Sequence, residues 1–163
     1  MVDDRARTPK ILKGIPAAPG YVHGSAVILH EEEFSVPRYP ISDAESELNR
    51  LSQARDRARK ELADLRQKVA QAASEKEAEV FTAHQMFLDD RALLKKTQRS
   101  LESGLNAEAS WMDAIDFFAA QLEAIPDPTI SARAVDIRDV GKRVLKHLLG
   151  RDADADRPRP AGG

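Results

Sequence analysis

Four histidines and no cysteine bound the chemistry open to this 163-residue chain. Without cysteine there is no thiolate nucleophile, no disulfide framework and no zinc–thiolate site. His23, His30, His84 and His147 include no pair at helical metal-ligand spacing, so no metal site is expected. A histidine that accepts a phosphoryl group needs an orienting base and donors for the phosphate oxygens. None of the four lies in a Gly-, Ser- or Thr-rich setting that supplies these. His23, in YVHGS, comes nearest. Each is therefore read as a structural or surface residue. The glycines of GIPAAPG form neither a Lys-Ser/Thr phosphate loop nor a G-x-G-x-x-G dinucleotide turn. The chain is expected to carry no catalytic residue, metal or cofactor of its own.

Recognition is the other chemistry on offer, and residues 80–90, VFTAHQMFLDD, pose it. Stepping 100° per residue from Phe81 places Leu88, Gln85, Ala78 and His84 on one face, with Val80 and Phe87 widening it. Met86 falls at about 140°, across the helix, near Glu75, Glu79, Thr82 and Ala83. Two readings fit. One is a wide core face with a single incidental methionine. The other is a binding patch, in which an adaptable methionine among carboxylates meets a basic partner. Residues 133–143, RAVDIRDVGKR, are dense in paired charge and read first as a solvated, salt-bridged face.

The elements that must hold these residues follow from pattern. Residues 1–10 are polar and expected to fray. Residues 11–29 hold β-formers around a Pro-Ala-Ala-Pro-Gly turn and predict two short strands; with the loop to residue 40 they make a β segment too small to stand alone. Ser42 and Glu45 form a capping box ahead of a long helix with the stripe Leu48, Leu51, Arg55, Ala58, Leu62, Leu65, Val69 and Ala72, in which Arg55 is expected to snorkel. Ser74 and Glu77 open a second helix, and a further helical stretch over 91–102 stops at Gly104. Asn106 caps a third helix with the stripe Trp111, Ala114, Ile115, Phe118, Leu122 and Ile125. Asp127 and Pro128 open a fourth, with the stripe Ile130, Ala134, Ile137, Gly141, Val144 and Leu148, ending at Gly150. The expected fold is mostly α: an antiparallel hairpin bundle of four main helices over 41–150, preceded by the short β segment of 11–40. The tail 151–163 cannot bury itself and is expected to be disordered. A net charge of −2 argues against general nucleic-acid or membrane binding, and no apolar run approaches the roughly 18 residues of a span. A cytoplasmic protein is expected.

In order, GIPAAPGYVHGSAVIL, AEVFTAHQMFLDD, GLNAEASW and ARAVDIRDVGKRVLKHLLG resemble enzyme I of the bacterial sugar phosphotransferase system over roughly residues 11–150. The resemblance implies a transferase family that takes phosphate from phosphoenolpyruvate, with magnesium, onto an active-site histidine. It then passes the phosphate to a histidine phosphocarrier protein. It implies that residues 11–29 are orphan strands of an α/β phosphohistidine domain and that residues 41–150 are the inserted helical domain that docks the carrier. The docking roles carry over onto Glu75, Glu79, His84, Met86 and Phe87, with Arg138 and Asp139 as charged neighbours, and favour the binding patch. The Gly-Gly-x-Thr-Ser-His motif and the substrate barrel of the family are absent from the sequence. The chain is expected to be inactive alone, either a fragment whose partners include the rest of such an enzyme or a free-standing adaptor or decoy. A self-associating structural hairpin is the third reading. Whether the sugar, nitrogen or dihydroxyacetone branch applies is left open.

Overall fold

The computed structural model describes residues 20, 21, 23 and 35–151. The chain divides into two compact units, Met1–Glu33 and Phe34–Gly163. The strands expected over 11–29, the frayed start and the tail beyond Arg151 lie outside the described residues. Within the second unit the elements are α1 (Ala44–Ala72), α2 (Glu75–Leu88), α3 (Arg91–Glu102), α4 (Ala107–Glu123) and α5 (Pro128–Leu148). The described residues contain no sheet; Pro40 and Leu105 form one isolated antiparallel bridge.

Five helices make four columns. Arg66 of α1 reaches Glu75 at the start of α2, and Arg55 reaches Leu88 at its end, so α1 and α2 are antiparallel. Gly104, just past α3, accepts from the amide of Ile41, just before α1. Thus α2 and α3 both descend beside α1 as one broken column. Trp111 meets Gly141 and Glu123 meets Arg138, which sets α4 antiparallel to α5. The expected four-helix bundle stands, with the 91–102 stretch as a helix in its own right.

Most helix ends are where the sequence signals put them. Ser74 accepts from the amide of Glu77, and Asp127 accepts from those of Thr129 and Ile130 with Pro128 in the first turn. Gly104 and Gly150 take positive φ, as helix-ending glycines do. Two expectations need correcting. Helix α1 is capped by the carboxylate of Asp43, which accepts from Ser46, rather than by Ser42. Asn106 makes no side-chain cap. Its amide instead takes the carbonyl of Pro37, the amide of Tyr39 and the carboxylate of Glu108. The first amide of α4, that of Ala107, is capped from another helix, by Glu47 at 2.7 Å.

That cap belongs to a buried polar knot where the chain enters and leaves the bundle. Arg50 lies between Glu47 at 2.5 Å and Glu108 at 2.6 Å. Burial works against the Arg50 charge, but the two carboxylates outweigh it and hold the guanidinium above its ordinary range. Burial likewise pushes the Glu108 carboxyl up. Its own backbone amide, Asn106 and Arg50 outweigh that and keep it below its ordinary range. The segment before α1 is tied to the same bundle, since Arg38 pairs with Asp113 through two hydrogen bonds of 2.8 and 2.7 Å. Residues 37–41 are thereby tied to the helical body.

The core runs through Leu51, Ala58, Leu62, Leu88, Leu101, Trp111, Ile115, Ile137, Val140 and Val144. On α1 the buried positions are Glu47, Leu51, Ala54, Ala58 and Leu62. The stripe thus fades past Leu62, with Leu65 and Val69 half-buried and Ala72 exposed, because the far end of α1 overhangs its partners. The apolar stripe of α1 is buried within the chain as far as Leu62. On α4 the stripe ends early, since Ile125 lies beyond the helix and is 38% exposed; Ile130, across the turn, is 41% exposed. Gly141 sets the closest approach of α4 to α5. A Cβ there would lie 2.7 Å from Cγ2 and 2.9 Å from Cγ1 of Ile115. The indole of Trp111 donates to the Gly141 carbonyl at 3.1 Å.

Two predictions follow from this packing. Gly141→Ala gains about 1 kcal/mol of helix propensity but drives a methyl into the stiff, β-branched Ile115, an overpacking cost of about 1–3 kcal/mol. A net loss of up to about 2 kcal/mol is expected in chemical denaturation. In that background Ile115→Ala costs less than in the wild type, a coupling a double-mutant cycle reads directly. The second concerns pH. A carboxyl held below its unfolded value stabilises the fold above that value, and the contribution is lost as pH falls through the folded value. The melting temperature is therefore expected to drop as pH falls below the ordinary glutamate value of 4.5. Glu108→Gln is expected to melt lower at pH 7 and to show a shallower acid limb.

Candidate functional site

The outer face of α2 gathers most of the residues singled out in the sequence. Helix α2 rests on α1, with Ala78, His84 and Leu88 buried and Phe81 and Phe87 packed part-way against the core. Gln85 donates from its side chain to the carbonyl of Arg59 at 3.3 Å. With the inner face so placed, Met86 points outward and is 71% exposed. Toward the start of the helix Glu79 is exposed, as is Glu75, which pairs with Arg66 at 2.9 Å. Phe87 is half-buried at the edge of this face. Val80, expected to widen the core face, is instead 39% exposed at the margin. The methionine is thus not part of the core.

His84 faces the other way. It is 8% exposed, in the seam between α2 and α5, with the ring of Phe81 edge-on to it at 6.2 Å. Its Nε2 lies 3.5 Å from Asp136 Oδ1 and has no hydrogen-bond partner. Asp136 also receives Arg133 at 3.2 Å on its other oxygen. So His84 is separated from Met86 by the width of the helix and lies behind the outer face.

Arg138 and Asp139 are not drawn to α2. Arg138 turns to α4, where both its terminal nitrogens bond Glu123 and its Nε lies 3.9 Å from Asp116. The Glu123 contact raises the Arg138 guanidinium above its ordinary range, and the same bond lowers Glu123. Asp139 is exposed on α5. The dense charge of residues 133–143 is largely an interhelical lattice, with Arg143 bonded to Glu61 and His147 set 3.1 Å from that carboxylate.

Some residues that position the face carried a weaker signal in the sequence. Arg55, the charged member of the α1 stripe, donates to the Leu88 carbonyl at 2.9 and 2.7 Å and to Asp89 at 2.9 Å. It closes the end of α2 rather than snorkelling to water, and its burial lowers the guanidinium below its ordinary range. Arg59 adds a bond of 2.6 Å to Asp89, and Asp90 caps α3 through the amide of Leu93 at 2.8 Å. The Asp89-Asp90 pair is the corner between α2 and α3. A charge at a core-phase position was the signal for it. On the neighbouring columns, Lys96 of α3 sits 3.9 Å over the ring of Phe117, which is 44% exposed. No sequence pattern pointed to that pair.

Among the described residues no group of three or more His, Cys, Asp and Glu side chains is placed to hold a metal ion. None of the described helices is long and apolar enough to cross a membrane. An open depression of about 320 Å³ lies at the start of α1, lined by Asp43, Glu45, Ser46, Asn49, Arg50 and Gln53. Its one cation, Arg50, is already engaged by Glu47 and Glu108. What the described surface offers on α2 is a face with an exposed methionine, Met86, and two exposed carboxylates, Glu75 and Glu79.

Known proteins place this arrangement. Residues 13–133 match the family described as PEP-utilising enzyme, N-terminal. The phosphoenolpyruvate-protein phosphotransferase of Listeria innocua is 37% identical over 142 residues, which is 86% of this chain and 25% of that protein. The enzyme of the same name from Bacillus subtilis is 34% identical over 140 residues, 85% of this chain and 25% of its own length. The chain thus spans about a quarter of these curated relatives. Two solved structures share the fold. One is an enzyme I protein determined by NMR, with TM-score 0.68 and 26% identity, covering 73% of this chain and 49% of that one. The other is the N-terminal domain of a nitrogen-type enzyme 1, with TM-score 0.67 and 29% identity, covering 75% of this chain and 51% of that one. With its helical unit built as in these enzyme I N-terminal domains, the chain belongs to the PEP-utilising enzyme N-terminal family.

Proposed function

We propose that the helical unit is the docking domain of an enzyme I-type phosphoenolpyruvate–protein phosphotransferase. In this reading it binds the histidine phosphocarrier protein in the cytoplasm and holds it for phosphoryl transfer. The observation that carries this reading is Met86, 71% exposed on a helix whose opposite face is packed. A large apolar side chain so placed, with Glu75 and Glu79 on the same face, suits a partner that brings an apolar contact ringed by basic groups. Phe87 supplies the apolar margin. His84 acts from behind the face, and Arg138 and Asp139 lie on α5, where Arg138 braces α4.

The mechanism asks little of this unit beyond placement. Phosphoryl transfer is catalysed largely by bringing donor and acceptor into line in an environment that stabilises the moving charge. A helix anchored along α1 and locked at its end by Arg55 is a suitable platform for orienting a carrier. Docking requires no metal or cofactor from these residues. Magnesium and phosphoenolpyruvate belong to the phosphate-accepting parts of a full-length family member. The adaptor or decoy reading shares the same face and differs in whether transfer follows. Self-association through α1 has less to stand on, since its buried stripe is covered within the chain.

Titration of the chain with a histidine phosphocarrier protein, followed by amide shifts, tests the reading. Shifts are expected to cluster on residues 75–88 and to weaken with added salt, because surface charge pairing is screened. Met86→Asp is expected to weaken binding by at least about tenfold, the scale of losing one central apolar contact, while helicity and melting stay near wild type. Shifts absent at high micromolar carrier, or a collapse of melting in the variant, would sink it.

A further inference from the structure

Behind the docking helix, His84 presents a problem that the packing leaves unsolved. Its Nε2 is buried and without a hydrogen-bond partner. A buried polar atom left so is costly, and native structures hold few of them. What it faces is the carboxylate of Asp136, at 3.5 Å. As an acceptor, a neutral ring nitrogen gains nothing from a carboxylate oxygen, which also only accepts. As a donor it stands too far off for a good bond. The protonated ring resolves both faults. It carries N–H on both nitrogens and a positive charge, and charged N–H···O contacts close to about 2.7–2.9 Å.

We propose that His84 and Asp136 form a proton-operated latch between α2 and α5. With the imidazole protonated, the pair closes and ties the C-terminal half of α2 to α5. With the imidazole neutral, the tie loses its charge and is weaker, and α2 is held chiefly by α1 and by Arg55 at its end. The surroundings of the pair are specific. On α5, Arg133 holds the second oxygen of Asp136 at 3.2 Å and keeps the carboxylate in place. On α2 the ring of Phe81 shields the imidazole edge. The α1 acid Glu61 is occupied by Arg143 and His147 of α5. Asp136 is thus the carboxylate that answers His84. Met86 lies two residues on in the same helix, so the latch acts on the backing of the exposed face. The inference rests on the seam itself, not on the identity of any partner.

Amide hydrogen exchange on the full chain tests it, with rates corrected for intrinsic exchange. Protection of residues 79–88 is compared at pH 8 and about pH 5.5, which bracket ordinary imidazole protonation. In the wild type, protection is expected to rise about three- to tenfold on acidification, the scale of one partly buried ion pair in local opening. Asp136→Asn, which keeps the shape and removes the charge, is expected to flatten that response. His84→Gln, neutral at both values, should flatten it as well. His147 is unchanged in both variants, so its own protonation cannot produce the difference. An equal rise in wild type and Asp136→Asn, or no rise in wild type, overturns the latch.

Discussion

Arg50 and the two carboxylates it separates set the geometry on which the rest of the bundle depends. Glu47 comes from the first turn of α1 and Glu108 from the first turn of α4; Asn106 joins the knot from the loop between α3 and α4. Each charge is buried or half-buried, so each requires its partners, and removing one partner of such a pair leaves a stranded charge that costs about 3–5 kcal/mol. Such a knot tolerates little sliding. It holds the starts of two columns in register and, by capping Ala107 from Glu47, makes the N-terminus of α4 dependent on the position of α1. The segment from Pro37 to Ile41 is bound into the same place through backbone and side-chain bonds to Asn106 and Gly104.

With one end of the bundle so fixed, the columns divide into a tight pair and a looser one. Helices α4 and α5 meet at Gly141, where the absence of a side chain lets Ile115 approach to a distance that a methyl would violate. Their outer edges are braced by Arg138 against Glu123 and Asp116. Helix α2 is differently placed. Its apolar face lies on α1, its C-terminus is closed by Arg55, and its link to α5 is the unclosed contact between His84 and Asp136. For the docking role we propose, that arrangement would leave α2 firm at the corner, where register is set, and adjustable along its length, where a partner must be accommodated.

Period and punctuation made the columns legible in the sequence. Ser74, Asp127, Pro128, Gly104 and Gly150 mark ends by local chemistry, since each satisfies or terminates a helix using atoms a few residues away. Met86 was legible for a related reason: a helical wheel separates a packed face from an outward one when the helix has a single strong neighbour, as α2 has in α1. What the sequence hid was non-local. Asn106 resembles a cap, yet its side chain is taken by residues brought in from the other end of the bundle, while the cap of α4 comes from Glu47. Arg55 breaks the heptad in the sequence and completes α2 in space. Arg138 and Asp139 were carried over together from the family resemblance, but neighbours along a helix point about 100° apart, and Arg138 is turned to α4.

The placement of His84 sharpens what a family pattern can convey. AHQM reads as one motif, and histidine and methionine two apart look like joint members of a contact surface. On a helix, however, residues two apart project in nearly opposite directions, about 200° of rotation from each other. One of the two must turn inward if the other turns out. Met86 takes the outward position because the α1-facing side is already filled by Ala78, Phe81 and Leu88, and His84 is left in the α2–α5 seam. The spacing that makes the motif recognisable thus sends its members to different places, with the methionine exposed on the outer face and the histidine beside Asp136 in the seam.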